Sequence, residues 1–318
     1  FTMAAGDNPE LCERYLLDFP EFSKVPYNDI EAMRAAVDDE TACVLLEASP
    51  AQLGFPAPEP GYYEAVRKIC DDHGAVFILD EVQTGLGGSG CFWLWQQQGV
   101  RPDIVTTAKG LGGGILPNAA ALMEPDIKAW FLDADFPHVS TFGGSELGCV
   151  ATAAVCDITS RPEFSANVRR LIEQFREGFA SAPFTVNQVG LCMGLLSDTM
   201  DSYEMTRRLA AAGVLVLPAH YDPRAIEFRP VLILDEGEAV PRPGEARASA
   251  HMGRSVEVPV GPRRVAQRAA GDDAGHERRV VPGGASRHGG AGGNRGRAAW
   301  SRRSPGPLTT ARPASPSG

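Results

Sequence analysis

LDEVQTGLGGSG (79–90), followed by PDIVTTAKGLGGG (102–114), is the stretch from which the architecture of this 318-residue chain is read. Five apolar, strand-prone residues, Ala75, Val76, Phe77, Ile78 and Leu79, run directly into Asp80. Such a run reads as a buried strand. A carboxylate at its C-terminal end stands where open α/β sheets place their ligands. A second short strand (Ile104, Val105, Thr106) ends just before Lys109, and glycines follow at positions 110, 112, 113 and 114. Glycine at those positions leaves room beside the lysine amine.

Taken singly, Asp80 reads as a turn cap and Lys109 as a solvated loop residue. Taken together at two strand ends, they suit pyridoxal phosphate chemistry. A lysine amine forms a Schiff base with the cofactor aldehyde, and an acid keeps the pyridine nitrogen protonated so that the ring can accept carbanion electrons.

Outward from this stretch the elements alternate. Asn28 and Asp29 are caps for a helix over 30–37, residues 41–47 read as a strand, and Pro60 and Gly61 open a helix over 62–72. Tyr62, Val66, Ile69 and Cys70 share one face of that helix. Residues 146–158 form an Ala-rich helix linking two parts. Beyond it come a helix over 164–179, a strand over 189–197, a helix over 203–212, and strands over 214–217 and 226–234. Strands alternating with helices predict an α/β fold with a largely parallel sheet. The expected domains are a cofactor-binding large domain (1–145), a connecting helix (146–162), a smaller α+β domain (163–238) and a tail (239–318). Leu232 and Leu234 on the last strand are expected to lack apolar cover.

Composition separates the tail from the rest. From residue 241 onward there are 14 Arg and no Lys against 5 acids, with 14 Gly, one Leu (Leu308) and no Ile or Phe. The whole chain nevertheless carries a formal charge of −10, so the preceding part is strongly acidic. A segment so poor in apolar residues cannot offset its conformational entropy and is expected to be disordered. Its Arg, Gly, Ala and Pro bias matches an out-of-frame reading of a GC-rich coding sequence, with the break near Glu238. Nucleic-acid binding is not expected of it, since Trp300 is its one aromatic and no RGG repeat occurs. The seven cysteines stand singly, with no CxxC pair, which favours reduced core thiols over disulfides and gives no metal site. No stretch approaches the roughly 18 apolar residues of a membrane span. The cytoplasm is the expected compartment.

An ordered series of segments resembles the class III (ω-amino acid type) pyridoxal-phosphate aminotransferases: VPYNDIEAMRAAV (25–37), TACVLLEA (41–48), GYYEAVRKICDDHGAVFILDEVQTG (61–85), GVRPDIVTTAKGLGGG (99–114), HVSTFGGSELGC (138–149) and FRPVLIL (228–234). The resemblance implies a fold-type-I transferase whose cofactor is pyridoxal 5'-phosphate. It implies that Asp80 pairs with the pyridine nitrogen, Val82 packs on the ring, Gln83 bonds the phenolic oxygen, and Lys109 forms the Schiff base and shuttles the proton. Thr141 is implied to reach the cofactor phosphate of a neighbouring subunit, and hence a homodimer. The implied partners are an amine or amino acid substrate and a keto acid or aldehyde acceptor. An aminomutase or decarboxylase on the same scaffold, or an inactive fragment, is the alternative. The family's phosphate-cradling loop and ring-stacking aromatic are not found in the chain, which opens on Phe1 and reads as a fragment whose residues 1–24 are an acidic connector.

The substrate side departs from the family. An arginine, two residues and a proline usually precede the last apolar strand, and that arginine clamps a substrate carboxylate. Here the run is EFRPVL (227–232), which puts Glu227 at the arginine position and Arg229 two residues on. A shift of two returns Arg229 to the same strand face. Glu47 is the residue that the resemblance pairs with the usual arginine, and Gly88 stands where related sequences have another arginine. Glu47, Glu227 and Arg229 are the candidate substrate-binding residues. Two buried acids with no arginine to match would favour a cationic substrate group; the other reading has Glu227 facing solvent.

Overall fold

A computed structural model describes residues 22–133 and 140–235. Residues 1–21 of the acidic connector, His138 and the Arg-rich tail lie outside the described residues.

The first sheet has the order β1 (Cys43–Glu47), β2 (Val76–Asp80), β3 (Ile104–Thr107) and β4 (Ala120–Met123). The first three strands are parallel, and β4 runs antiparallel at the edge. Val44, Leu46, Phe77 and Leu79 all point to one face and are buried there. That face is covered by helix α1 (Ile30–Ala36) and helix α2 (Tyr62–His73). Each helix has a local reason to form. Asp29 caps α1 by accepting from the Ala32 amide, and Gly74 ends α2 in the left-handed region at φ 65°. Tyr62, Tyr63, Val66, Ile69 and Cys70 then pack on the strands, so the periodicity read from sequence is the packing face. Burying such side chains contributes roughly 1.5–3 kcal/mol each.

Two polar ties fix where the strands end. The hydroxyls of Tyr27 and Tyr63 both donate to the carbonyl of Ala48, just past β1. Arg67 on α2 pairs with Asp103 at 2.8 Å, and the same carboxylate accepts from the Phe77 amide at 2.7 Å. Helix, central strand and the approach to β3 are thereby clamped at one point.

Along the chain follow the short α3 (Trp95–Gln98), α4 (Pro125–Asp133) and α5 (Glu146–Thr159). The second sheet has the order β5 (Thr185–Val189), β6 (Cys192–Leu196), β8 (Ala225–Phe228) and β7 (Leu217–Pro218), every pairing antiparallel. Helix α6 (Pro162–Phe179) and helix α7 (Ser202–Ala211) cover it through Val168, Leu171, Met205 and Leu209.

The mostly parallel sheet expected of the large domain is the first sheet, and the antiparallel second sheet belongs to the smaller domain read as α+β. The structure corrects the sequence reading in two places. The single strand over 189–197 is the second half of a hairpin, in which Val189 pairs with Cys192 across a Gly190-Leu191 turn. Connections this short close antiparallel pairs, whereas parallel ones need a long crossover. The last strand stops at Phe228, two residues before Pro230, and the expected gap under Leu232 and Leu234 is absent. Both leucines pack in the α6 cluster, while the alternate residues Val231 and Ile233 are 61% and 75% exposed.

Candidate active site

Glu47, Asp80 and Thr106 stand level with one another across three parallel strands, because Glu47 pairs with Asp80 and Asp80 with Thr106 in register. All three lie at the carboxyl ends of their strands, the edge where such sheets bind ligands. Lys109 follows Thr106 by three residues and opens a 3₁₀ turn, Lys109–Gly112. Its φ of 48° is in the left-handed region, which a non-glycine residue adopts at some cost.

Asp80 and Glu81 are neighbours with opposite fates, as strand alternation requires. Asp80 is half-buried at the strand end, and its Oδ1 accepts from the Val82 amide at 2.8 Å. Glu81 turns into the protein and is 0% exposed. Its carboxylate accepts from the Thr84 hydroxyl at 2.7 Å and from the amides of Leu94 and Trp95 at 3.0 and 2.9 Å. It thereby caps α3 and ties both ends of the glycine-rich loop between β2 and that helix. Burial pushes the Glu81 carboxyl above the usual range, opposed by those hydrogen bonds. Sequence reasoning passed over Glu81; the available signal was an acid three residues before a threonine at the start of a loop that leads into a helix.

Lys109 lines a cleft of about 410 Å³ together with Val82, Gln83, Cys192, Glu227 and Arg229. Burial, and after it the Arg229 guanidinium, hold the Lys109 ammonium below the ordinary lysine range. Glu227, Glu47 and Asp80 pull in the other direction. A lysine amine whose charged form is disfavoured by its surroundings is better suited to act as a nucleophile than a free one.

The second sheet forms the far wall of the cleft. Glu227 on β8 is 4% exposed, so it does not face solvent. Nor is it an acid with no arginine to match: Gln52 donates to its Oε1 at 2.8 Å, and Arg229 Nε lies 3.7 Å from its Oε2. The expected opening for a cationic group beside Glu227 is therefore filled by Arg229. Arg229 and Glu227 both line the cleft, although β8 ends at Phe228 and Arg229 is therefore not on the strand face from which the expectation was argued. Glu47 stays on the strand row, where its Oε2 accepts from the Ala51 amide at 3.3 Å. Gly88 contributes to the cleft edge, with no side chain to reach in. Thr141 is exposed and is not among the residues lining the cleft.

The donor set fits pyridoxal phosphate. An amine held below its usual range and an amide line a cleft whose volume is within the range of small-molecule sites, and the Asp80 carboxylate stands at the adjacent strand end, outside the residues that line the cleft.

Comparison with known proteins agrees with this geometry. The model of the family "Aminotransferase class-III" matches residues 1–240. An uncharacterized aminotransferase of Archaeoglobus fulgidus is 40% identical over 249 residues, which is 75% of this chain and 58% of that protein. An acetylornithine aminotransferase of Pseudomonas putida is 34% identical over 247 residues, 75% of this chain and 60% of that one. Among solved structures, the ornithine aminotransferase of Toxoplasma gondii aligns with a TM-score of 0.66 at 25% identity, covering 75% of this chain and 58% of that chain. N-acetylornithine aminotransferase of Stenotrophomonas maltophilia aligns with a TM-score of 0.62 at 28% identity, covering 74% and 63%. The chain thus spans about three fifths of the length of the curated relatives it matches. With the match extending over most of its length, this chain belongs to the class-III aminotransferases, a pyridoxal-phosphate-dependent family of the fold-type-I class.

Proposed function

We propose that the protein is a transaminase that moves an amino group from an amine or amino acid to a keto acid or aldehyde, with Lys109 as its reactive amine. The observation that carries this reading is the level row Glu47, Asp80, Thr106 with Lys109 just beyond it in the cleft. When bound, pyridoxal phosphate supplies an aldehyde that condenses with amines and a ring that takes up the electron pair left on the substrate carbon.

The protein's own residues do the rest. Asp80 holds a proton on the pyridine nitrogen, and its bond from the Val82 amide keeps the carboxylate aimed. Val82 packs on the ring face, and Gln83 donates to the phenolic oxygen. With the cofactor bound, Lys109 Nζ would carry the proton between the substrate carbon and the cofactor, a role that suits an amine held below the ordinary lysine range. Glu47, Glu227 and Arg229 shape the charge at the substrate end. Relatives named for acetylornithine and ornithine support an amino acid donor. Thr141 reaches the phosphate of a neighbouring subunit in a homodimer. No helix among the described residues is long and apolar enough to cross a membrane. Six cysteines there are free thiols, which suits the reducing cytoplasm.

The test is borohydride reduction of the cofactor-loaded chain followed by peptide mass analysis. A phosphopyridoxyl adduct on Lys109, lost in Lys109→Ala, is expected. An adduct on another lysine, or undiminished labelling of the variant, would refute the assignment.

A further inference from the structure

Gln83 is gripped at two points by the second sheet. Its side-chain Oε1 accepts from the Arg229 guanidinium. Its backbone carbonyl accepts from the Cys192 thiol at 3.3 Å. Arg229 is in turn held by Glu227, whose carboxylate is anchored by Gln52. Gln52 is itself fixed, since its Oε1 accepts from the His220 amide at 3.0 Å and its carbonyl from the Tyr221 and Asp222 amides at 3.0 and 3.2 Å. A continuous polar chain therefore runs from Gln52, after β1, through Glu227 on β8 and Arg229 just past it, to Gln83, after β2.

A glutamine amide has one accepting end and one donating end, whereas arginine has donors only. Beside Arg229 the amide can settle in one sense: Oε1 toward the guanidinium and Nε2 away from it. The reverse would set donor against donor. We propose that Arg229, braced by Glu227, is a positioning residue that locks the Gln83 amide so that Nε2 presents its hydrogens to the phenolic oxygen of the cofactor. The inference rests on the function proposed above. It also removes Arg229 from the part of a substrate-carboxylate clamp, because its guanidinium is committed to the cleft wall.

The test measures the pH midpoint of the bound-cofactor absorbance band in the full chain, for the unaltered protein, Gln83→Met, Arg229→Met and the double variant. A donor on the phenolic oxygen stabilises its negative charge and favours the deprotonated chromophore, so losing it raises the midpoint. Each single variant is expected to raise the midpoint by about one unit, the scale of one hydrogen bond to a charged group. The double variant is expected to match Gln83→Met alone, because Arg229 acts through Gln83. A midpoint indifferent to Arg229→Met, or shifts that simply add, would overturn the inference while leaving the transaminase reading intact. A protein that takes up no cofactor would overturn both. Should Arg229→Met unfold the protein by stranding the buried Glu227 carboxylate, Arg229→Met combined with Glu227→Gln carries the same comparison.

Discussion

Adjacent acids at positions 80 and 81 separate structure from chemistry at the scale of one residue. Glu81 is fully buried and satisfies three donors. Glu81→Ala strands those donors and is expected to cost about 3 kcal/mol or more, read as a lower thermal midpoint. Asp80→Asn removes no comparable support. It is expected to leave the thermal midpoint nearly unchanged while slowing the amino-transfer half-reaction at least about a hundredfold. Equal thermal losses in the two variants would contradict this division. Lys109 gives a pH prediction of definite sign. Because burial and Arg229 depress its pKa, the neutral amine persists to lower pH than in a free lysine. The rate of cofactor capture by the cofactor-free chain should rise with pH and level off around a midpoint below about 10.4. A midpoint at or above that value would show that Lys109 is an ordinary surface lysine.

At the scale of elements, what sequence could reveal depended on how much each local pattern was shared with its surroundings. Helix α2 was legible because five apolar residues recur on one face and Gly74 marks the end. The parallel strands were legible as apolar runs ending in Asp80 and Thr106, the second continuing one residue further, to Thr107. Strand β4, with the sequence AALM, was not, since alanine is a poor strand former. The hairpin of β5 and β6 was hidden for two reasons. TVNQV is too polar to read as a strand, and CMGLL is buried at its first four positions, so no alternation marks its register. Among the candidate site residues, the positions of Asp80 at a strand end and of Lys109 just past the next strand were legible in the sequence. The Glu227–Arg229–Gln83 contact was not, because it joins positions 146 residues apart. Gly194 on β6 lies against the backbone of Gly54, and a Cβ there would collide with the Gly54 carbonyl oxygen. Gly194→Ala is expected to destabilise the protein by about 2–3 kcal/mol in chemical denaturation. An unchanged denaturation midpoint would mean that this close approach is not kept in solution.

For the molecule as a whole, the proposed dimer accounts for a patch that the described residues leave open. Phe142 is 85% exposed, Leu147 72%, Val150 68% and Ile115 77%. Leu147 and Val150 are three apart on α5 and so share a face. Helix α5 packs against the Lys109–Gly112 turn, Ile115 follows that turn, and Phe142 is next to Thr141. Large apolar side chains exposed on one helix face and beside the turn it packs on suit an interaction surface. A second copy is the occupant that also gives Thr141 a purpose, since it would carry that hydroxyl toward the partner's cleft. A closed two-fold contact uses the same patch on both copies, so one substitution acts twice. Leu147→Asp combined with Val150→Asp is expected to convert a dimer to a monomer in analytical ultracentrifugation and to weaken cofactor binding in parallel. Thr141→Val should weaken cofactor binding and leave the dimer intact. A double variant that stays dimeric, or an unaltered chain that is monomeric at micromolar concentration with cofactor bound, would move the interface elsewhere and leave Thr141 without its proposed role.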